Sequence, residues 1–314
     1  MTPDTVIELA RTTPQLTQLT LSGGFLLTDA ALADALRQWP HLQLLTIEHV
    51  PKLGELTMQA LAETCQHLKS LRLHFCSRLT DEQFRPITRL SNLTKLSLDG
   101  TTSLTSAAFT SIFFPTFGPQ LEVLKLGNMD ESIVNAEVLK ALVASLPADR
   151  RAVPLRKLLF KWTPGLTDEG ILALQDALVL LTHLHIERTW SITPDVLNAF
   201  VRSNPRLSHL VLDSCLHDHG HEDMEAMLLQ DESPHHLEEV NVAWARGVSD
   251  VILEGLIRKN PRLNALSVWG CHRVTPWWTH RVMTEGIAST MPTHGIERDE
   301  RRFVRVTGGP LIEE

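Results

Sequence analysis

Residues 68–81 read LKSLRLHFCSRLTD, and residues 263–275 repeat the same order of residue types as LNALSVWGCHRVT. In the first stretch, the alternation LRL at residues 71–73 predicts a short strand that sends leucines to one side and polar side chains to the other. Thr80 and Asp81 are typical of a helix start, where a hydroxyl caps free N–H groups and a carboxylate meets the positive helix end. The stretch therefore predicts a unit made of a strand, a turn and a helix.

This unit recurs along the chain. The leucines that open its LxxLxL pattern are 25 to 34 residues apart, and 26 is the commonest interval. These leucines are Leu16, Leu42, Leu68, Leu93, Leu121, Leu155, Leu181, Leu207, Leu237 and Leu263. One such unit cannot bury its apolar face alone, whereas stacked neighbours share a continuous core. The sequence therefore predicts a stack of about ten repeats of roughly 26 residues.

The units resemble leucine-rich repeats of the cysteine-containing type over about nine-tenths of the chain. The resemblance implies an α/β fold, a leucine-rich-repeat horseshoe solenoid with parallel strands on its concave side and helices on its convex side. Residues 2–11 match residues 193–202 in register, so residues 1–15 are expected to be the helix of a truncated preceding repeat. Residues 16–288 are expected to form the repeat domain and residues 289–314 a charged C-terminal tail. On this interpretation the chain is the C-terminal part of a longer protein.

Composition excludes several classes of protein. Of 314 residues, 43% are hydrophobic and 21% charged, which is typical of a folded chain; 52 are leucine and none is tyrosine. The net charge of −8 disfavours bulk binding to nucleic acid or an anionic membrane. No apolar run approaches the length of a membrane span, and residues 1–14 lack the basic start and long apolar core that are typical of a signal peptide. Four cysteines without a CxxC pair predict neither a zinc site nor a disulfide framework. A reducing compartment, the nucleus or the cytoplasm, is expected.

No pattern of catalytic residues stands out, so the chain is predicted not to be an enzyme and to need no cofactor. Cys76, Cys215 and Cys271 share a repeat position that other units fill with Gly, Val, Thr, Met or Ala, which indicates a small buried group rather than a nucleophile. The run at residues 217–223 (HDHGHED) has the ligand types of a transition-metal site. It occupies the turn and helix start of a repeat, so a solvated loop is the preferred interpretation and no metal site is predicted.

Function is expected on the concave strands, where outward side chains are free to match a partner. Basic and aromatic residues there predict a docking arc, because Trp and Arg are frequent interface hot spots. Its predicted members are Arg72, His74, Phe75, Lys95, Lys125, Lys157, Lys161, Trp162, His183, His185, Arg188, Trp244 and Trp269. We expect the arc to bind an acidic or mixed-charge protein segment. Interleaved carboxylates disfavour direct nucleic-acid binding, and no membrane contact is expected.

Two groups of repeat proteins are most similar to this chain. One is the F-box/leucine-rich-repeat receptors for ubiquitination; the other is the fungal leucine-rich-repeat subunit of global-genome nucleotide excision repair. Residues 268–275 (VWGCHRVT) and 303–308 (FVRVTG) resemble the ending of the repair group, which is preferred. The resemblance implies a recognition module of a cullin-linked ubiquitin ligase acting in DNA-damage recognition, with the cullin and its adaptor reached through a missing N-terminal region. The alternatives are an F-box substrate receptor and a scaffold or regulator unrelated to ubiquitin.

Overall fold

The computed structural model describes residues 2–216, 220–229, 236–284, 287–289, 300–302 and 305–307. It confirms the predicted α/β leucine-rich-repeat solenoid, in which strands pair with strands of neighbouring repeats and helices pack on helices of neighbouring repeats. The chain divides into two compact units, Met1–Leu166 and Thr167–Glu314.

The first unit contains six parallel strands. They are β1 (Gln18–Ser22), β2 (Leu44–Glu48), β3 (Ser70–His74), β4 (Lys95–Asp99), β5 (Val123–Gly127) and β6 (Lys157–Lys161). The register aligns Leu45, Leu71 and Leu96 across β2, β3 and β4, and these leucines are buried. Because side chains alternate along a strand, the first, third and fifth positions of each strand share the opposite, outward face.

The second unit continues the pattern with β7 (His183–Glu187), β8 (His209–Asp213), β9 (Glu239–Asn241) and β10 (Ala265–Ser267). Three short strands follow: β11 (Ile287–Ser289), β12 (Glu300–Arg302) and β13 (Arg305–Thr307). β11 and β12 pair antiparallel, whereas β13 pairs in parallel with β10. A strand from the segment expected to be a charged tail thus extends the sheet of this unit.

Most repeats carry the predicted helix. The helices are α1 (Pro3–Thr12), α2 (Asp29–Leu36), α3 (Glu55–Thr64), α4 (Asp81–Phe84), α5 (Phe114–Phe117), α6 (Ala136–Ser145), α7 (Asp168–Leu174), α8 (Pro194–Ser203), α9 (His221–Leu229), α10 (Asp250–Lys259) and α11 (Pro276–Thr284). No described helix has the length and apolar character needed to cross a membrane.

The third and fourth repeats depart from the predicted regular helix. After the single turn of α4, residues Arg85–Arg89 form a 3₁₀ helix that includes Pro86. In the fourth repeat a π-helical segment, Ala108–Phe113, runs into α5, which contains Pro115. Proline has no N–H to donate and its ring clashes with the preceding turn, so a regular α-helix cannot continue through these positions.

Aspartates at helix starts join consecutive repeats. The Asp29 carboxylate accepts hydrogen bonds from the backbone N–H groups of Gly54 and Thr57, both at 3.0 Å. Asp250 likewise accepts from the N–H and the hydroxyl of Thr275, at 2.9 and 2.7 Å. The rule applied to Asp81 in the sequence assigns a carboxylate at a helix start to its own helix, whereas the structure shows that Asp29 and Asp250 cap the helix start of the next repeat.

Candidate partner-binding surface

One backbone position recurs after each of the ten strands β1 to β10. The residue that precedes the compact buried position of each repeat has a positive φ, in the left-handed region that favours glycine. The ten residues are Gly23, His49, Phe75, Gly100, Asn128, Trp162, Arg188, Ser214, Trp244 and Gly270. The backbone N–H at this position can donate a hydrogen bond to a carbonyl of the next repeat and so extend the hydrogen bonding between the strands. For example, the Phe75 N–H donates to the Asp99 carbonyl at 2.6 Å. Four of the predicted arc residues therefore share one rigid structural position.

Five of the predicted basic residues lie on the outward face of four adjacent strands in the first unit. We call this set, Arg72 on β3, Lys95 on β4, Lys125 on β5, and Lys157 and Lys161 on β6, the basic strip. The register places Lys95 and Lys157 at the first strand position and Arg72 and Lys125 at the third. Neighbouring strands are about 4.8 Å apart, so the five cations occupy one continuous surface.

The basic strip has few carboxylates to offset it. In the outward rows of β3 to β6, all within the described residues, Asp99 is the only acidic side chain. The Asn128 amide donates a 2.6 Å hydrogen bond to Asp99 Oδ1. His74 Nδ1 lies 3.4 Å from Oε1 of Glu48 on β2, and His74 Nε2 lies 3.0 Å from the Ser97 hydroxyl oxygen. The strip is therefore a local concentration of positive charge in a chain whose net charge is −8.

Aromatic residues end the two outer strands of the basic strip. Phe75 follows β3 and Trp162 follows β6, and they are 43% and 48% exposed. The Phe75 ring stacks on His49 with ring centroids 4.7 Å apart and planes 1° from parallel. Its other neighbour is Gly100, where an added Cβ would lie 2.6 Å from Phe75 Cδ1. The ring is thus held between two repeats while much of it faces solvent.

The second unit presents a different outward face, made of histidines and carboxylates. The rings of His183 on β7 and His209 on β8 stack with centroids 4.0 Å apart. His209 Nε2 is 3.8 Å from a carboxylate oxygen of Glu239. His185 Nε2 and Arg188 Nε lie 3.5 and 3.8 Å from the carboxylate of Glu187. This face pairs most of its charges internally.

Two exposed tryptophans complete the face of the second unit. The ring centroids of Trp244 and Trp269 are 5.4 Å apart and the ring planes meet at 61°. The Trp244 ring lies against Gly270, where an added Cβ would come within 2.5 Å of Trp244 Cδ2. These tryptophans share the face with histidines and carboxylates, so the predicted arc resolves into a basic part in the first unit and a mixed, acidic and aromatic part in the second.

The cysteines at the repeat position are buried thiols. Cys215 Sγ donates to the Ile186 carbonyl at 3.1 Å, and Cys271 Sγ to the Val242 carbonyl at 3.1 Å, each a residue of the preceding repeat. Burial raises the pKa of Cys215 to about 12 and that of Cys271 and Cys76 to about 11. These thiols stay protonated at neutral pH, so they pack the repeats and are poor nucleophiles.

Two of the three histidines in the run at residues 217–223, His217 and His219, lie outside the described residues. His221 begins α9, with Nδ1 3.2 Å from the Gly247 carbonyl and Nε2 3.9 Å from a carboxylate oxygen of Glu225. Over the part of the chain that the structure describes, no three His, Cys, Asp or Glu side chains are grouped to hold a metal ion.

Sequence reasoning overlooked two features of this surface. His209 occupies the same strand position as His183 one repeat later, a signal that aligning the repeats would have revealed. The left-handed position carries a weaker signal, because Gly and Asn, which favour a positive φ, occupy it in four repeats, whereas residues such as Phe75 and Trp162 do not favour it.

Comparison with known proteins gives the same fold. Neither a family model nor a curated protein matches the chain. Among solved structures, yeast Rad7 in its complex with Elc1 matches 98% of this chain and 89% of its own, at 16% identity and a TM-score of 0.52. The leucine-rich-repeat protein LegL7 of Legionella pneumophila matches 83% of this chain and 86% of its own, at 18% identity and 0.56. The internalin InlF of Listeria monocytogenes matches 90% of this chain and 81% of its own, at 13% identity and a TM-score of 0.50.

Similarity at these identities concerns the fold, and it agrees with the ten parallel repeat strands β1 to β10 and with the repeating helix starts described above. The chain has the leucine-rich-repeat fold.

Proposed function

We propose that this protein is a non-enzymatic interaction module whose basic strip binds an acidic segment of a partner protein. The observation that carries the proposal is the set of five cationic side chains on the outward faces of four adjacent strands, whose own outward rows hold five basic residues and one acidic residue, Asp99. Such a surface attracts an acidic partner over a distance and favours it over basic competitors. Part of this electrostatic attraction is kept at physiological salt, since cations on neighbouring strands lie within about one Debye length of one another.

The dimensions of the strip suit a short extended segment. Its four strands span about 14 Å from β3 to β6, and an extended chain of about five residues covers that distance. Phe75 and Trp162 at the ends of the outer strands add apolar contacts of the kind found at interface hot spots. A segment with alternating acidic and apolar residues would therefore fit both features.

We infer a more specific role from the resemblance of residues 268–275 and 303–308 to the repair group. In this role the protein acts in the nucleus or the cytoplasm as the recognition part of a cullin-linked ubiquitin ligase in nucleotide excision repair. The likeness of fold to Rad7, which was solved in a complex with Elc1, is compatible with this proposal. An F-box receptor and a scaffold unrelated to ubiquitin are the competing roles.

Affinity purification of the natural full-length protein with mass spectrometry distinguishes these roles. Recovery of a cullin and its adaptor supports a ligase, and an added repair ATPase selects excision repair. A cullin and adaptor without repair proteins would favour the F-box receptor. Retention of unrelated partners alone would contradict the ligase proposal and leave a scaffold.

Charge reversal tests the basic strip itself. The probe is a fluorescein-labelled octaglutamate peptide, with binding followed by anisotropy at low salt. Lys95→Glu combined with Lys125→Glu is expected to weaken binding by about tenfold or more, because like charges then face the peptide. The matched control is Lys52→Glu, an exposed cation outside the strip, which is expected to change affinity by about twofold at most.

Two results would contradict the proposal for the strip. One is an equal loss per reversed charge in the control, which would mean that the peptide responds only to net charge. The other is unchanged affinity after Trp162→Ala together with Lys161→Ala, since both side chains lie at the end of β6. Far-ultraviolet circular dichroism confirms that each variant is folded.

A further inference from the structure

A second recognition feature lies where β8, β9 and β10 end in the second unit. Trp244 and Trp269 form two walls of a corner, with ring planes at 61° and centroids 5.4 Å apart. They are 37% and 45% exposed, whereas Trp39 and Trp278 are fully buried. Part of both indole rings therefore faces solvent.

The corner is rigid. The Trp244 N–H donates a 2.7 Å hydrogen bond to the Trp269 carbonyl, which joins the two residues through their backbones. One side of the Trp244 ring lies against Gly270, which has a φ of +73° and no Cβ to push the ring away. A site that is held in place before binding loses little entropy when a ligand enters it.

A carboxylate borders the corner. In the strand register Val211 pairs with Asn241, and Asn241 pairs with Ser267. Two residues further along, Asp213 and Trp269 lie in one outward row. They are two strands apart, and the strand that precedes Trp244 lies between them. Asp213 is half-buried and accepts a 2.7 Å hydrogen bond from the Ser214 hydroxyl. Among the described residues no cation lies within ion-pair distance of its carboxylate. Burial is the main cause of the raised pKa of Cys271, and the negative charge of Asp213 adds to it, which agrees with a carboxylate near the turn after Trp269.

We propose that Trp244, Trp269 and Asp213 together bind one arginine or lysine side chain presented by a partner protein. The faces of indole rings attract cations, and more strongly where water is displaced. The carboxylate supplies the opposite charge, and the apolar stem of a long basic side chain packs against the rings. Charge complementarity selects this occupant, because an acidic side chain at the corner would meet Asp213.

The neighbouring charges agree with a cationic ligand. Glu187 and Glu239 lie on the same face and add negative potential, reduced by Arg188 and His209 close to them. Cation–π contact already occurs elsewhere in this unit, where the Arg281 guanidinium lies 5.0 Å from the centre of the Trp277 ring. The corner is independent of the basic strip, because it lies in the other unit and takes a ligand of the opposite charge.

The test uses the full chain, a capped hexa-arginine peptide and the indole N–H resonances, assigned through single Trp→Phe variants. The Trp244 and Trp269 resonances are expected to shift on titration, whereas that of Trp190, also exposed, is expected to stay in place. Asp213→Asn is expected to weaken binding about three- to tenfold. The matched control Asp195→Asn removes the same charge from an exposed helix position and is expected to change affinity by about twofold at most.

Three outcomes would overturn the proposal: the same loss in both Asp→Asn variants, no shift at Trp244 and Trp269, or unchanged affinity after Trp269→Ala. The last variant truncates an exposed side chain, so it keeps the test valid even if Asp213→Asn does not fold. Octaglutamate binding is expected to survive Trp269→Ala. Failure of the corner and failure of the basic strip are therefore distinguishable.

Discussion

Removing the carboxylate of Asp29 tests how the repeats are held together. Asp29 accepts four hydrogen bonds from the next repeat: from the N–H groups of Gly54, Leu56 and Thr57, each at 3.0 Å, and from the Thr57 hydroxyl at 2.6 Å. Gly54 is the N-cap of α3 and has no side chain, so Asp29 performs the capping that Gly54 cannot. Asp29→Ala leaves these donors without their acceptor.

The magnitude follows from the groups that lose a partner. Loss of an N-cap costs about 0.5–2 kcal/mol, and loss of a hydrogen bond to a charged group about 1.5–3 kcal/mol. Water reaches the exposed Leu56 amide but not the buried Gly54 and Thr57, so the terms do not add fully. We expect Asp29→Ala to lower the free energy of unfolding by about 2–4 kcal/mol.

Asp34→Ala is the matched control. Asp34 lies on the same helix and its removal changes the net charge equally, yet its carboxylate is 62% exposed and pairs only with Arg37. Such surface pairs contribute about 0–1 kcal/mol. Urea unfolding gives the free energies, and hydrogen exchange at the Thr57 amide reports the local loss. A difference between the two variants below about 0.5 kcal/mol, with no faster exchange at Thr57, would refute the reasoning.

Three further predictions concern packing and pH. Gly270→Ala is expected to cost about 1–3 kcal/mol in thermal unfolding, more than Gly23→Ala, because both have positive φ but only Gly270 has a neighbouring ring in the way. Phe113→Ala empties a fully buried position and is expected to cost about 3–5 kcal/mol in urea unfolding, whereas the exposed Trp190→Ala is expected to stay within about 0.5 kcal/mol. Burial raises the pKa of Cys215 from its ordinary 9.0 to about 12. The contribution of the protonated thiol to the free energy of unfolding is therefore complete below pH 9 and is lost as the pH rises from 9 towards 12. Cys215→Ala should reduce the alkaline fall in urea stability by about 1 kcal/mol per pH unit, and an unchanged slope would contradict this assignment.

The strands and the repeat register could be predicted because one rule governs them. In residues 70–74 the leucines alternate with polar residues, and a slip of one residue would expose every leucine. The irregular helical segments of the third and fourth repeats escaped the prediction. Pro86 and Pro115 mark them in the sequence, but the spacing of apolar residues outweighed that signal.

Less of the candidate surface could be predicted. Period-two alternation identifies Lys95 and Lys125 as outward residues, and the structure places both on one face. Which carboxylates lie near the tryptophans depends on the register between strands, as for Asp213 and Trp269. The hydrogen bonds between Asp29 and the next repeat could not be predicted for a similar reason. Helix-start rules describe one helix at a time, whereas this contact joins two helices.

Lysine footprinting of the natural protein with its partner bound tests the central claim most directly. Acylation followed by mass spectrometry reads each lysine of the basic strip, while Lys52 and Lys140, outside the strip, serve as internal references. The account predicts that Lys95, Lys125 and Lys157 lose reactivity when the partner is bound and that both references keep theirs. Full reactivity of the strip in the bound state, or equal protection of strip and reference lysines, would contradict it.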